Sequence, residues 1–432
     1  MVGKQKDALK KPRFYKLTAA HLPDKLFRKE VDVTEWIGDD TGGSGEGSLK
    51  SKPWLETTHD RAGFRPGSLA KIVPLDPMVE FERNIEFPLY NIQNVSPILL
   101  PFTAAAWLLL GIWWAKHILI FVVIYQGSLD AIWRIWCAPA FPGDKELGDD
   151  PARVQYSVHT RNCTKYCSTS YVWPDTLHRP ALTNGDRDRP IIFCVIPHGM
   201  IPLGILGYPY FSKVWNSRMC SWTSAPITHK LPFVATALRR RGYIPAKSKP
   251  ILEALTKNHR NIGIVLDGID GMFHTAAKNN KRGGGDKNQN DVAVAAISNR
   301  KGICKIALKA GAVLVPVYGF GHSELYDVVV DPFGILEFLS IKLHVSLTPF
   351  LGRWGWFMGP PKRHVPLAMC LGEPIFPPSD DNDKNDATAA ITQKQIDEHH
   401  SRLLDGFTKV FETHKKAYYG EDIGEKKKLV FV

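Results

Sequence analysis

Two short segments carry side chains with the chemistry of a catalyst. Ile196-Pro197-His198-Gly199 closes a run of apolar residues from Pro190 that reads as a strand buried on both faces. In open α/β sheets, reactive groups collect in the crevice beyond the carboxyl ends of the strands. A histidine there, held by the proline before it and freed by the glycine after it, is placed as a general base. Its imidazole titrates near neutrality, which suits removal of a proton from a hydroxyl as that hydroxyl attacks a thioester. The plainer alternative is a histidine that caps the strand and bonds to a backbone carbonyl. The second segment, Leu266-Asp267-Gly268-Ile269-Asp270-Gly271, follows another apolar run, Asn261 to Leu266. Its glycines can offer backbone N–H groups to an oxyanion or phosphate. An ordinary Asp-Gly turn is the local alternative.

A third segment is basic. Arg300, Lys301 and Gly302 open a helix expected over Gly302 to Ala310, closed by Gly311 in a C-cap position. Positive charge at a helix start opposes the dipole, so the pair is suited either to an anion or to a solvated turn. His159, Cys163 and Cys167 recur at intervals of four, but no fourth ligand accompanies them and no metal is expected. Arg239-Arg240-Arg241 suits phosphates, headgroups or an exposed helix end equally.

These segments need a scaffold of strands alternating with helices. Ala312 to Tyr318 is a third continuous apolar run, and Leu231 to Arg241 is a further helical candidate. Such alternation implies α/β architecture, a mostly parallel sheet with helices on its faces. An amphipathic helix is expected from about Thr392 to Tyr418, with Ile396, Leu403, Leu404, Phe407, Val410 and Phe411 on one side. Lys278 to Gln289, Ser379 to Asp386 and the glycine-rich Gly38 to Ser48 read as polar loops or linkers.

The 432 residues are 44% hydrophobic and 23% charged, enough for a full core and too apolar for a disordered chain. A mean hydropathy of −0.17 excludes a many-spanning membrane protein. Ile98 to Tyr125, however, is almost wholly apolar, long enough for one spanning helix or a re-entrant hairpin. Leu129 to Phe141, with Trp133 and Trp136, would extend that contact along the interface. Lys and Arg total 55 against 43 Asp and Glu, a net charge of +12 that suits an anionic bilayer or a nucleotide thioester. No nucleic-acid module is visible. Seven cysteines make no disulfide framework, and the first sixteen residues lack a signal peptide's apolar core. Four regions result: 1–95, basic and partly disordered; 96–141, membrane-embedded or interfacial; 142–420, catalytic; and 421–432, a basic tail.

Taken together the motifs resemble the type 2 diacylglycerol acyltransferase family, with its monoacylglycerol acyltransferase and wax synthase relatives. The family's His-Pro-His-Gly block is similar to Ile196–Gly199, its Gly-Gly-x-x-Glu block to Asp267–Gly271, and its long Arg-x-Gly-Phe…Val-Pro-x-x-x-Phe-Gly block to Arg300–Gly321. Leu371 to Ile375 and Asp397 to Gly420 extend the likeness, which covers roughly Ser96 to Gly420. The resemblance implies a glycerolipid-acyltransferase-like fold and transfer of a fatty acyl group from acyl-CoA to diacylglycerol, with monoacylglycerol or a long-chain alcohol as alternative acceptors. It implies His198 as base, with Pro197, Gly199, Asp267 and Gly268 forming the motif and oxyanion loops. Arg300, Lys301 and Gly302 would bind acyl-CoA, a substrate, and no cofactor is called for. The implied setting is the endoplasmic reticulum membrane with the catalytic domain facing the cytosol, lipid droplets being a second location; a homo-oligomer is compatible with it. This chain also departs from the family. Ile196 replaces the first histidine, Asp267 and Gly271 stand where Gly and Glu are usual, and His322 follows Phe320-Gly321 where Glu or Gln is usual. Asp270, one position from the family's Glu, is expected to orient the His198 imidazole. The altered acidic loop also fits a different class, a membrane-bound lipid-binding pseudoenzyme.

Overall fold

The computed structural model describes residues 13–18, 55–88, 158–177, 189–207, 218–230, 241–269, 271–273, 292–329, 333–343, 348–378 and 391–432, with six isolated positions between them. Its strands are β1 (Phe14–Thr18), β2 (Leu55–Thr58), β3 (Ser170–Pro174), β4 (Ile191–Ile196), β5 (Cys220–Ser224), β6 (Ile244–Pro245) and β7 (Asn261–Val265). They continue with β8 (Val292–Ala295), β9 (Val313–Phe320), β10 (Asp327–Val328), β11 (Phe350–Leu351), β12 (Ala368–Leu371) and β13 (Lys428–Phe431). The helices are α1 (77–88), α2 (Val158–Tyr166), α3 (Ser248–Thr256), α4 (Gly302–Ala310), α5 (Ile335–Leu343), α6 (Gln393–Tyr419) and α7 (Glu421–Lys426).

Nine of these strands form one sheet in the order β2-β1-β3-β12-β9-β4-β7-β5-β6. Its centre is parallel: β9, β4, β7, β5 and β6 all run the same way. Antiparallel pairs join β12 to β9 and β1 to both neighbours. The expected α/β class with a mostly parallel sheet is therefore present. The three apolar runs became β4, β7 and β9, adjacent in the sheet. Ile192, Cys194 and Ile196 enter one core cluster with residues of α3, α4 and α6. Ile191, Phe193 and Val195 point to the other face, among Trp173, Trp222 and Val315. Burial on both faces is why such strands read as unbroken apolar runs.

Helix ends follow local chemistry. Gly311 caps α4 at φ 58°, and its N–H bonds back to Ala307 and Leu308. Thr392 opens α6 with a capping box: its hydroxyl accepts from the Gln395 N–H, and the Gln395 side chain accepts from the Thr392 N–H. Both helices start and stop within a residue of the sequence expectation.

The chain ends differ from expectation. Residues 14–18 and 55–58, placed by sequence in a loosely organised tail, are sheet strands, with Tyr15 and Leu17 buried beside Trp173. The basic tail contributes β13, paired in parallel with β8. Only tertiary pairing stabilises such short strands, so local sequence does not announce them. Six described cysteines are free and buried. No helix among the described residues is long and apolar enough to cross a membrane. Apart from His117, Ile120 and Ile124, the Ile98 to Tyr125 run lies outside the described residues, as do Leu129 to Phe141, the three polar linkers and all of Leu231 to Arg241 except Ala235, Leu238 and Arg241.

Two buried histidines on α6 set a pH limit on this fold. Burial pushes His414 down to about 3 and His399 down to about 4. Each is stable in the core only as the neutral ring, while in the unfolded chain it protonates near 6.5. The contribution is thus complete above about pH 6.5 and drains away as pH falls towards those values. The melting temperature should drop steeply between pH 6.5 and 4, and His414→Leu should flatten that slope. An identical slope in wild type and variant, by thermal denaturation, would contradict the assignment.

Candidate active site

The carboxyl ends of three neighbouring parallel strands converge on one loop. β4 ends in Ile196 and delivers Pro197-His198-Gly199; β7 ends two residues before Asp267; β9 ends two residues before His322. Asp267, fully buried, accepts the His198 backbone N–H on Oδ2 at 2.9 Å. That bond ties the β7 turn to the β4 turn. The Asp267 main chain also closes its own turn, accepting from Gly271 N at 3.0 Å.

The imidazole of His198 is half-buried. Its Nδ1 lies 2.9 Å from the Gly199 carbonyl oxygen. A carbonyl only accepts, so Nδ1 carries the hydrogen and Nε2 carries the basic lone pair. Burial holds the ring's pKa below its ordinary value, and the Gly199 bond pulls weakly the other way. At neutral pH the ring is an unprotonated base. Gly199 turns its own carbonyl back to the ring because it sits at φ +60°, and a Cβ there would overlap the His322 carbonyl oxygen. The position Asp270 is expected to occupy, on Nδ1, is thus taken by a backbone carbonyl; Asp270 itself lies outside the described residues. The Asp267 carboxylate bonds the main chain of the histidine, through the His198 N–H.

His322 has a role that sequence reasoning missed. The ring is fully buried and spans the loop from beneath: Nδ1 donates to the Pro197 carbonyl at 3.1 Å, and Nε2 accepts from Gly204 N at 3.1 Å. Cβ atoms at Gly204 or Gly319 would lie 2.5 Å from its two ring nitrogens, so glycine on both sides is what admits the ring. Burial pushes His322 down to about 4, with the His198 ring adding to the effect. It is a neutral strut whose two nitrogens both have partners. The signal available was the three glycines at 199, 204 and 319, but their meaning depends on contacts 118 and 125 positions apart.

The remaining expected residues sit around this loop. Gly268 adopts φ +51°, and the Arg300 guanidinium lies over it: a Cβ at Gly268 would be 3.2 Å from Nη1. Arg300 is exposed and precedes α4, beside the β7 turn. Lys301 is the N-cap of α4 and pairs with Asp397 on α6 at 2.8 Å. Gly302 begins the helix with open space where a side chain would be. A cleft opens beside Pro197, walled by Tyr318, Ser323, Glu324, Val292 of β8 and Leu429 of β13. Burial, then Glu324 and Asp267, push the Tyr318 hydroxyl up, so it stays a donor. Cys163 and Cys167 lie buried in a separate apolar cluster with Tyr166 and Phe350, and burial pushes the Cys167 thiol up.

A family profile described as Diacylglycerol acyltransferase matches residues 149–432, about two thirds of the chain. The 2-acylglycerol O-acyltransferase 1 of Bos taurus is 27% identical over 267 residues, 57% of this chain and 70% of that protein. The Diacylglycerol O-acyltransferase 2 of Rattus norvegicus is 28% identical over 248 residues, 53% of this chain and 58% of the relative. That of Dictyostelium discoideum is 25% identical over 259 residues, 57% of this chain and 72% of the relative. The match thus spans less than two thirds of the rat protein's length. No solved structure matches the chain significantly.

Replacing His322 tests the strut. His322→Leu leaves the Pro197 carbonyl and the Gly204 N–H buried without partners, at about 1–3 kcal/mol for each such group. His322→Gln offers one donor and one acceptor and should retain most of the stability. Thermal denaturation of the full chain should rank wild type, Gln, then Leu; a Leu variant as stable as wild type would remove His322 from this role.

Proposed function

This chain belongs to the diacylglycerol acyltransferase family, and we propose from that premise that it acylates diacylglycerol with fatty acyl-CoA, releasing triacylglycerol and CoA. The observation that carries the reading is the tautomer of His198, whose Nδ1–H is bonded to Gly199 and whose Nε2 is left as the base. Nε2 takes the proton of the acceptor hydroxyl as its oxygen attacks the thioester carbonyl. The carbon–oxygen bond forms, the tetrahedral intermediate collapses, the carbon–sulfur bond breaks, and the proton passes from the imidazolium to the departing thiolate. Backbone N–H groups near Gly268 face the oxyanion in this scheme. Arg300 beside that turn, with Lys301 and the start of α4 at Gly302, supplies positive charge for the CoA phosphates. Lys301 can exchange Asp397 for a phosphate at small cost, because an exposed ion pair of this kind contributes little to stability. The chemistry needs neither a metal nor a bound cofactor. The setting we propose is the endoplasmic reticulum membrane, the domain facing the cytosol, with Ile98 to Tyr125 embedded in it.

The relatives' names include both a diacylglycerol and a 2-acylglycerol acyltransferase, so monoacylglycerol is the competing acceptor. Microsomes containing the full chain, given labelled acyl-CoA with diacylglycerol, monoacylglycerol or a long-chain alcohol, separate the acceptors by product. Triacylglycerol as the main product supports the proposal, and no product above vector control would favour a lipid-binding protein without activity. His198→Ala should lower the rate by about 10²–10⁴ while the protein still accumulates in membranes. Activity within a few-fold of wild type would sink the base assignment.

The pH profile offers an independent check. Because the ring's pKa is lowered, kcat/KM should be flat around neutrality and fall only below the ordinary histidine value of about 6.5. An acid limb centred at or above 6.5 would contradict a buried, neutral His198.

A further inference from the structure

Two helices of this protein turn apolar side chains to the solvent side while burying polar ones. On α1, Arg83 is buried and ion-paired with Glu86, whereas Met78, Phe81 and Ile85 form a stripe on the solvent side. On α5, Ser340 is fully buried, whereas Ile335, Phe338, Leu339 and Ile341 are exposed. A helix on a protein surface in water shows the opposite pattern. The Trp354–Phe357 turn adds Trp354, Trp356 and Phe357, the last 65% exposed, and Phe333 at 83% precedes α5.

These elements are built onto one part of the molecule. β10 and β11 pair as a ribbon, α5 lies in the excursion between them, and the Trp354 turn follows β11 directly. Arg353 locks that turn to α1, bonding Glu80 and Asn84 and stacking on Trp354 at 4.4 Å from the ring centre. A soluble monomer rarely exposes large apolar side chains in such numbers on neighbouring elements.

We propose that α1, α5 and the Trp354–Phe357 turn form a face that seats on the lipid bilayer, a contact additional to Ile98 to Tyr125. Three observations select lipid as the occupant. Aliphatic and phenylalanine side chains stand beside a tryptophan pair, Trp354 and Trp356, 5.0 Å apart, the residue type that favours the headgroup boundary. A long cation, Lys342, lies over the Phe338 ring, with a stem that can lie in the apolar layer while its charge reaches the headgroups. Finally, the apolar run from Ile98 begins ten residues after α1 ends at 88, and ten residues extend at most about 36 Å, so the run and this face are close enough in the chain to meet the same bilayer. Glu82 and Glu337 share the face with Lys342, so it carries no strong net charge and fits a zwitterionic surface.

The face also lies close behind the catalytic loop. Phe87 of α1, Tyr326, Phe350 and Met358 form one buried cluster with Leu203, and Met200 and Ile201 pack against it. Met200 follows Gly199 directly. Resting on the acyl-transfer reading, this places the loop one side-chain layer from the phase that holds a neutral lipid acceptor.

The test uses the full chain in phosphatidylcholine vesicles whose acyl chains carry bromine. Cys137, which lies outside the described residues, is first replaced by Ser, and an environment-sensitive fluorophore is attached to Phe338→Cys or Trp356→Cys. Thr408→Cys, exposed on α6 against a different cluster, serves as the reference. Phe333→Cys and Phe357→Cys, at the two most exposed apolar positions of the face after Met78 is set aside, replace either variant that fails to fold. Bromolipid should quench the face labels at least twofold more than Thr408. Equal quenching at all sites would overturn the proposal and assign the face to protein contact, with another segment or a second copy. The readout needs no turnover, so quenching in a chain inactive with every acceptor would sink the acyl-transfer reading alone.

Discussion

Main-chain polar groups removed from water must find partners, and the loop after β4 is where this constraint is hardest to meet. Residues 197–204 leave the sheet centre among buried side chains, with no neighbouring strand to complete their hydrogen bonds. Three side chains meet the need: Asp267 accepts the His198 N–H, His322 takes the Pro197 carbonyl and the Gly204 N–H, and the Tyr171 hydroxyl donates to the Gly204 carbonyl. An unpaired buried group of this kind costs enough to matter in a fold stabilised by only about 5–15 kcal/mol. The geometry at His198 follows from the arrangement. With the backbone fixed on both sides, Gly199 can direct its carbonyl at Nδ1, and the basic lone pair is confined to Nε2.

The same constraint accounts for the chain's departures from its family's motifs. Where the family places Glu or Gln, His322 supplies one donor and one acceptor on a rigid ring, and Gly204 and Gly319 make room for it. Asp267, where the family has Gly, is absorbed by the backbone of the neighbouring turn. Each substitution is chemically intelligible once its partner is known.

Much of the scaffold was legible because its signals are local. β4, β7 and β9 declare themselves as apolar runs, α4 by its terminal glycine, and α6 by its apolar stripe. His198 was legible as a strand-end histidine, and the structure shows its ring bonded to a backbone carbonyl, the arrangement that leaves Nε2 with the lone pair. β1, β2 and β13 were not legible, since each depends on a partner strand distant in sequence or on a few residues with no periodicity of their own. The strut at His322 was hidden for the same reason. The inverted faces of α1 and α5 were hidden differently: apolar spacing reports that a stripe exists, not which side of it the protein occupies.

The strand order has a bearing on synthesis. β3 is flanked by β1, made far earlier, and by β12, made nearly two hundred residues later, while β4 waits for both β7 and β9. A nascent chain that has emerged through β4 therefore carries its most apolar strand with both edges open, the arrangement most prone to pairing with another molecule. Closure of the sheet is long-range and correspondingly slow. The time taken to synthesise the chain from β4 to β9 sets how long those edges stay open, so slower elongation through that stretch lengthens the exposure.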